Sequence, residues 1–330
     1  MLNIYLPITS HFLKKNTKNK TSNLFHFNLH INKKFNYICL ENFKDNPSLE
    51  YKHDWLTCFE PENHLDQLCE YLINNFLLEK KNIFGFSFKD DSLIQRIKNN
   101  YKKTTNIKTS KELGLPVKGA CLYKLFKFCN YKNIIKIGEK NGKADILLVR
   151  HILEHTSNIE VFLESLKLFL NTDGIIIFEV PDSERGFKRG MQTLLWEEHA
   201  SYFTKDSLFN VLRLFGFEIT EFFRHKNKIE DILLVIAKID LKRPNYKTSS
   251  NYKNSKLLKQ YEANFNFNKA KINQRINKII SSGSEIYLFG AGHHASSFVS
   301  INQLNKEISY ILDDNPEKHN YLLPGSSIPI

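Results

Sequence analysis

Short, continuously apolar segments alternate with helical segments between Asn82 and Ile239, and this alternation constrains the fold more than any other feature. The segments NIFGFSF (82–88), ADILLV (144–149) and IIIFEV (175–180) are typical of buried strands. The intervening SLIQRIKNNYK (92–102) and IEVFLESLKLFL (159–170) place apolar residues at helical spacing. Strands that are apolar throughout and separated by helices predict a parallel α/β sheet covered on both faces.

The end of this alternation predicts one reversed strand. A helix over 207–215 is stopped by Gly216, and two strands, Phe217–Phe223 and Ile232–Ile239, then follow without a long helix between them. Because a parallel neighbour needs a crossover connection, the last strand is expected to be antiparallel, which makes the sheet mixed.

Three further segments flank this unit in the predicted domain organisation. Residues 1–78 form a polar, Asn- and Lys-rich region with one amphipathic helix that begins near Pro61. The α/β unit occupies 79–241, and the Pro-containing polar stretch 242–256 is predicted to be a linker. Residues 257–330 begin with a long helix and continue with a second βα unit, EIYLFGAGHHASSFVSI (285–301), followed by the strand ISYILDD (308–314).

Composition excludes some classes of protein and leaves others open. Lysine and arginine number 47 against 35 acidic residues, for a net charge of +12, which suits an anionic partner or reflects a general lysine bias. No motif that reads nucleic acid accompanies the charge, so no nucleic-acid partner is predicted. The five cysteines form no C-x-x-C pair, no apolar run approaches a membrane span, and the first residues, MLNIYLPITSHFLKK, do not have the pattern of a signal peptide. We therefore expect a cytoplasmic protein with reduced thiols and no membrane contact.

A polar cluster directly follows the second buried strand. Arg150, His151, Glu154 and His155 occupy the segment RHILEH. Ligands of open α/β sheets bind at the carboxyl ends of strands, so these side chains are candidates for a binding pocket. Two alternatives are salt bridges that cap the loop, and a metal pair formed by His151 and His155. Because no third ligand is evident nearby in the sequence, no metal is predicted.

These segments together resemble a known family. RHILEH, the turn NTDG (171–174) and IIIFEVPDS (175–183) resemble class I S-adenosylmethionine (SAM) dependent methyltransferases. WEEHASYF (196–203) resembles the E-H-x-x-Y-F segment of sugar C-methyltransferases, which act on nucleotide-linked keto-deoxysugars. YLFGAGHHASSFVSI and DDNPEKHNYLLPGSSIPI resemble their extra C-terminal domain. The resemblance implies a Rossmann-like class I methyltransferase mixed sheet with helices on both faces, plus a smaller C-terminal α/β Rossmann-like domain.

The resemblance also implies SAM as cofactor and a set of residues that bind it. By position they are Gly85 within the strand NIFGFSF, Ser87, Asp90 and Asp91 in the turn that ends it, Glu112 after the predicted strand TTNIKT (104–109), and Arg150, His151 and Glu154 after ADILLV. The chain departs from the family pattern at several points. The turn 87–92 has no glycine, TTNIKT (104–109) has no acid, no cysteine-rich zinc module is visible, and more C-terminal sheet is expected than the residues to Ile330 supply.

The chemistry that the resemblance implies is removal of a proton beside a ketone, followed by attack of the enolate carbon on the SAM methyl group. His199 is the predicted base, Glu198 its orienting partner, and Tyr202 a donor to the enolate or the sugar. The implied substrate is a nucleotide-linked sugar in polysaccharide biosynthesis. The open alternatives are O- or N-methylation of another small molecule, a non-catalytic methyltransferase-fold protein, and a purely packing role for WEEHASYF.

The GAGHHA segment (290–295) leaves two interpretations open. It follows a strand and precedes a helix, as a phosphate-binding turn does, but it lacks the G-x-G-x-x-G spacing. It is either a tight βα turn or a site for the pyrophosphate of the substrate. The sequence makes no prediction about oligomeric state.

Overall fold

A computed structural model of the chain describes most of its 330 residues. The described residues are 2–17, 23–41, 43, 49, 53, 55, 62–101, 106–115, 121–228, 230–240 and 252–330; the side chains of 121–124 and 252 are not included.

A six-stranded mixed sheet forms the centre of the molecule. The strands are β5 (Ile83–Gly85), β6 (Ile107–Lys108), β7 (Ala144–Arg150), β8 (Leu170–Asp182), β10 (Phe217–His225) and β11 (Asp231–Ile239). Their spatial order is β10-β11-β8-β7-β5-β6, in which β11 is antiparallel to both neighbours and the remaining pairs are parallel. The predicted mixed sheet and its reversed last strand are therefore confirmed.

Helices cover both faces of this sheet. Along β7, Leu147 and Val149 join a core with one set of helices, whereas Ile146 and Leu148 join a second core with another set. This alternation is why the strands are apolar at every position. The second core packs on α1 (Leu65–Asn75) and α2 (Asp91–Asn100), and the first on α3 (Ser110–Leu113), α4 (Cys121–Phe128), α5 (Tyr131–Asn141), α6 (Ile159–Phe169) and α8 (Lys205–Leu214).

The NTDG segment differs from its predicted role as a turn between helix and strand. β8 begins already at Leu170 and runs through the segment. Ala144 pairs with Leu170, but Ile146 pairs with Ile175, so residues 171–174 form a bulge in the strand. A β-bulge inserts extra residues without ending the ladder, which the turn-forming composition of NTDG does not distinguish from a loop.

The N-terminal region contains a second sheet that the sequence analysis did not predict. β1 (Asn3–Pro7), β3 (Leu24–Ile31), β4 (Ile38–Leu40) and β9 (Ser201–Tyr202) form an antiparallel sheet in that order. Its fourth strand comes from WEEHASYF, far along the chain. A further pair joins β2 (Leu13–Lys14) to β14 (Tyr321–Leu322) near the C-terminus. The N-terminal region is thus tied to both later parts of the chain.

The C-terminal part begins with a long helix, as predicted, and continues with a βα unit. α9 covers Tyr252–Ser281, β12 covers Tyr287–Phe289, α10 covers His293–Asn302 and β13 covers Tyr310–Leu312, parallel to β12. Residues 252–256 of the predicted linker are helical, and the rest of that linker lies outside the described residues. α9 packs on α7 (Ser183–Arg189), which follows β8 directly. None of the described helices is long and apolar enough to cross a bilayer.

Replacing Gly190 by alanine is expected to destabilise the protein by about 3 kcal/mol, because alanine is strained at this positive φ and its Cβ would also overlap with α9. Gly190 ends α7 with φ +62°, and a Cβ there would lie 2.4 Å from Asn264 C and 2.4 Å from Phe265 N of α9. Urea unfolding measures the loss. The matched control is Gly114→Ala, which lies in the same left-handed region (φ +78°) but has nothing within 4 Å of the added Cβ, so it should cost only about 1 kcal/mol. Equal losses in both variants would contradict the close contact between α7 and α9.

Candidate active site

A cavity of about 1030 Å³ lies where the carboxyl ends of β7 and β8 face the C-terminal βα turn. The segment 191–199 forms a further wall. Cavities of this size hold small-molecule ligands, and the carboxyl edge of an open α/β sheet is where such ligands bind. Polar and aromatic side chains make up much of the cavity lining, among them His151, Glu154, His155, Arg185, Trp196, His199, His293, His294, Asp313 and Lys318.

The end of β7 supplies three of these side chains through an abrupt turn. His151 follows the strand with φ +50°, and a 3₁₀ turn over Leu153–His155 comes next. The backbone N–H of His151 donates to Glu179 O of β8 at 2.8 Å, which holds the turn against the sheet. His151, Glu154 and His155 are each less than 5% exposed yet contact the cavity.

A buried ion cluster centred on Glu179 of the neighbouring strand β8 holds this turn in place. The Glu179 carboxylate, fully buried, accepts from Arg150 Nε at 3.1 Å, from Arg150 Nη2 at 3.0 Å and from His64 Nε2 at 2.9 Å, and lies 2.9 Å from His151 Nε2. Burial alone raises the pKa of Glu179, but Arg150 and the histidines outweigh burial and hold the pKa well below its usual value. The carboxylate is therefore ionised.

The Glu154 carboxylate points into the site without a hydrogen-bond partner within the described part of the chain. Both of its oxygens are buried, and the residue is 2% exposed. His151 Nδ1 lies 3.5 Å from Oε1. Burial lowers the pKa of His151, but its contacts with Glu154 and Glu179 outweigh burial and raise the pKa to about 10. A carboxylate that accepts no hydrogen bond in a buried cavity is suited to a cationic ligand.

The position of His199 is fixed by bonds on both sides of it. Leu40 N donates to Ala200 O at 3.0 Å, within the pairing of β4 and β9. On the other side, Thr9 N and Oγ1 donate to the buried Glu197 Oε1 at 2.6 and 2.7 Å. Burial raises the pKa of Glu197 to about 7, against the bonds from Thr9. The N-terminal region therefore orients the loop that carries His199.

Aromatic and imidazole rings pack around His199. The ring centroid of Trp196 lies 4.9 Å from that of His199, 5.6 Å from that of His155 and 5.3 Å from that of His293, the last in a stacked arrangement. Burial is the main cause that holds the pKa values of His155 and His199 well below the usual value. Both imidazoles are therefore neutral at pH 7, so each has a nitrogen lone pair for a proton or a ligand.

Of the three residues predicted to be catalytic, only His199 lines the cavity. Glu198 is buried, and its carbonyl accepts from His155 Nδ1 at 3.0 Å. Tyr202 is 1% exposed, and its hydroxyl lies 3.4 Å from Trp196 N and 3.5 Å from Trp196 O. Burial raises the pKa of this hydroxyl. The structure thus places Glu198 and Tyr202 behind the loop, where they position Trp196, His155 and His199.

Of the residues predicted to bind the cofactor, His151 and Glu154 line the cavity, and the turn after β5 does not. Ser87 N and Arg150 N donate to the fully buried Asp90 carboxylate at 2.9 and 3.1 Å, and Arg150 Nη1 donates to Lys89 O at 2.6 Å. Burial raises the pKa of Asp90 to about 7. The backbone and carboxylate that a cofactor would use in this turn are thus bonded within the protein.

The other three predicted cofactor residues have structural roles outside the cavity. A Cβ on Gly85 would lie 2.5 Å from Ile94 Cδ1, so this glycine allows α2 to approach the strand. Asp91 is exposed in the first turn of α2. Glu112 is exposed as well, and its Oε2 accepts from Thr109 N at 3.3 Å in the capping box of α3. Their predicted contact with a cofactor is not seen in the cavity lining.

The C-terminal βα turn contributes cavity residues that the sequence analysis missed. His293 donates from Nε2 to Leu195 O at 2.8 Å, which joins the turn to the loop that carries His199. Ala291 N donates to Asp313 Oδ2 at 2.6 Å, and Lys318 Nζ lies 2.9 Å from the same oxygen. The amide that a phosphate would use is bonded to a carboxylate, which favours the interpretation of GAGHHA as a tight turn. The adjacent histidines in GAGHHA were the available signal.

Two protein-family models match parts of the chain. Residues 93–221 match the family model of a methyltransferase domain, and residues 245–330 match that of a C-methyltransferase C-terminal domain. The predicted resemblance to SAM-dependent methyltransferases is therefore confirmed. More particularly, the second match confirms the resemblance to C-methyltransferases.

Individual relatives are distant. The C-methyltransferase NovU of Streptomyces niveus is 22% identical over 205 residues, which cover 59% of this chain and 49% of that protein. The chain thus spans about half the length of this relative. Among solved structures, a SAM-dependent methyltransferase of Anabaena variabilis is 14% identical, with a TM-score of 0.35 over 54% of this chain and 85% of that chain. Magnesium protoporphyrin IX methyltransferase of Synechocystis, with bound S-adenosylhomocysteine, is 12% identical, with a TM-score of 0.36 over 53% and 82%.

Proposed function

We propose that this protein is a SAM-dependent C-methyltransferase that acts on a nucleotide-linked keto sugar. One observation carries the proposal: His199, the predicted base, lines the same cavity as His151 and Glu154, although it comes from a segment more than forty positions later. The two family matches support the reaction class and the choice of a carbon acceptor.

The β7 side of the cavity has residues that fit SAM, whereas the turn after β5 does not. SAM supplies an electrophilic methyl group on a sulfonium centre and also carries an ammonium group. The Glu154 carboxylate, buried and without a hydrogen bond among the described residues, provides a counter-charge for such a cationic group. The turn after β5 does not provide the usual contacts, because Asp90 and Arg150 are bonded to each other and to the turn. We therefore assign cofactor contacts to the β7 side, through His151 and Glu154.

In the proposed reaction, the neutral imidazole of His199 receives the proton from the carbon beside the substrate ketone. Bound SAM would supply the methyl group: its sulfonium–methyl bond would break as the enolate carbon forms the new bond, with S-adenosylhomocysteine as the leaving group. The proton would remain on the His199 imidazole until product leaves. A neutral histidine is required for this step, and burial keeps His199 neutral. Trp196 holds the ring by packing on it, and Glu198 acts through its backbone bond to His155 rather than by touching substrate.

The substrate is proposed from the C-terminal match and from charge. The C-terminal turn contributes to the cavity wall, and Lys318 and Arg185 line the cavity, where each pairs with an aspartate, Asp313 and Asp231 respectively. The support for an anionic substrate such as a nucleotide-linked sugar is therefore the net charge of +12 rather than an unpaired cation among the described residues of the cavity.

Incubation with SAM and a panel of nucleotide-linked keto sugars tests the proposal. We expect a product heavier by one methyl group, with a new carbon–carbon bond visible by NMR and resistant to mild hydrolysis. Calorimetric titration with SAM provides a separate measurement of cofactor binding. A methyl ester, ether or amine product would overturn C-methylation, and failure to bind SAM at millimolar concentration would overturn the transferase assignment altogether. In that second case the internal hydrogen bonds of the turn after β5 would be interpreted as a feature of a non-catalytic protein.

A further inference from the structure

Three side chains at the cavity wall have the composition and arrangement of a metal site. Glu154, His155 and His199 each offer one ligand atom, and these atoms all lie within 4.8 Å of one another. Two imidazoles and a carboxylate are the ligand set of several catalytic zinc sites and of non-haem iron sites, both of which leave coordination positions open. The sequence shows the adjacent Glu154 and His155, but the third ligand comes from a loop more than forty residues later.

Two independent features of the site point to a bound cation. The first is Glu154, which is 2% exposed and whose two oxygens accept no hydrogen bond from any described residue. The second is the tautomer of His155. Its Nδ1 faces Glu198 O at 3.0 Å, and because a carbonyl only accepts, Nδ1 carries the proton and Nε2 has the lone pair. A backbone carbonyl that orients the other ring nitrogen is the usual support of a metal-binding histidine.

We propose that Glu154, His155 and His199 bind a first-row divalent cation such as Zn²⁺, with one coordination position facing the cavity. Ligands at the usual distances of 2.0–2.1 Å around tetrahedral zinc are about 3.4 Å apart, so the three side chains close by roughly 1 Å when the ion enters. Arg150 pairs with Glu179 at 3.0 Å, and His151 lies between Glu179, at 2.9 Å, and Glu154, at 3.5 Å. The ion also occupies the lone pair of His199 and the Glu154 carboxylate, which is assigned above to the cofactor.

Occupation of His199 by the ion affects the proposed methyl transfer, and this consequence rests on that proposed function. His199 cannot hold a metal ion and accept a proton from substrate through the same lone pair. Excess Zn²⁺ is therefore expected to suppress methyl transfer, in competition with the reaction. Binding itself does not depend on the proposed function, so the two proposals fail separately.

The test uses the full chain, stripped of metal by a chelator and titrated with ZnCl₂ by calorimetry. Titration with CoCl₂ provides a second measurement, since four-coordinate Co²⁺ absorbs strongly in the visible range. We expect one tight site per chain, weakened at least tenfold in Glu154→Gln and in His199→Gln. The matched control is His294→Ala, which removes a cavity histidine outside the trio and should leave the affinity unchanged. Circular dichroism establishes that each variant is folded.

Three outcomes would overturn the site. They are no stoichiometric binding of either ion, equal affinity in Glu154→Gln and the unmodified protein, or an equal loss in His294→Ala. The control is needed because other pairs in the chain also offer soft ligands, such as Cys39 Sγ, which lies 3.4 Å from His30 Nε2. A site on such a pair is unaffected by Glu154→Gln and would count against the proposal.

Discussion

Replacing His199 by glutamine is expected to lower kcat for methyl transfer by about 10²- to 10⁴-fold, the usual contribution of a general base. Glutamine has a similar volume and retains polar contacts, but it does not accept a proton at neutral pH. Because His199 belongs to the loop wall and Glu154 to the β7 side, SAM affinity should change by less than about threefold. Rates with saturating substrate and calorimetric titration with SAM measure the two quantities.

The matched control for this variant is His26→Gln, an exposed histidine on β3 whose loss should leave kcat unchanged. Both reactions are run in the presence of a chelator, so that a metal ion on His199 does not enter the comparison. A fall in SAM affinity with kcat preserved would contradict the assignment of His199 as base. Such a result would place the imidazole against the cofactor instead.

Replacing Glu179 by alanine is expected to destabilise the protein by about 3–5 kcal/mol, the largest stability effect predicted for a single position. The variant leaves the Arg150 guanidinium and the protonated His151 buried without their common counter-charge. Since both groups position the turn that carries Glu154, we also expect loss of the candidate site. Urea unfolding, followed by tryptophan fluorescence, measures the free energy.

The comparison variant is Glu160→Ala, which breaks the ion pair of Glu160 with Lys34 on the surface. Their side chains are 51% and 65% exposed, so the loss should stay below about 1 kcal/mol. If Glu179→Ala costs as little as Glu160→Ala, the buried cluster does not stabilise the fold. Glu179→Gln should fall between the two variants, because it keeps the volume and one acceptor.

The central sheet was predictable from sequence because its strands are apolar on both faces and each covering helix has apolar residues along one side. β7 and α6 match their predicted bounds within a residue or two, and Gly216 ends α8 as expected. The N-terminal sheet was not predictable in the same way. β9 has only two residues, and its partner β4 lies more than 150 positions earlier, so no local pattern records the pairing. Pairing of that kind depends on tertiary structure rather than on strand propensity.

The candidate site was predictable only in part for a related reason. RHILEH shows a polar cluster after a strand, which is a local signal, and His151 and Glu154 do reach the cavity. The sequence does not show that Arg150 turns away to bond Glu179, because that depends on the neighbouring strand β8. It also does not show that His293 meets Trp196, since the two come from different domains. The sequence therefore showed which polar residues lie near one another in the chain, but not which residues of other elements they contact.

The pairing of β2 with β14 connects two segments that are far apart in the sequence and that both contact the cavity walls. Thr9 lies just before β2 and holds Glu197 beside the His199 loop, while the segment after β13 includes Lys318 at the opposite wall. Residues on either side of the β2–β14 pair thus contact different walls of the cavity, and the pair couples the positions of those walls.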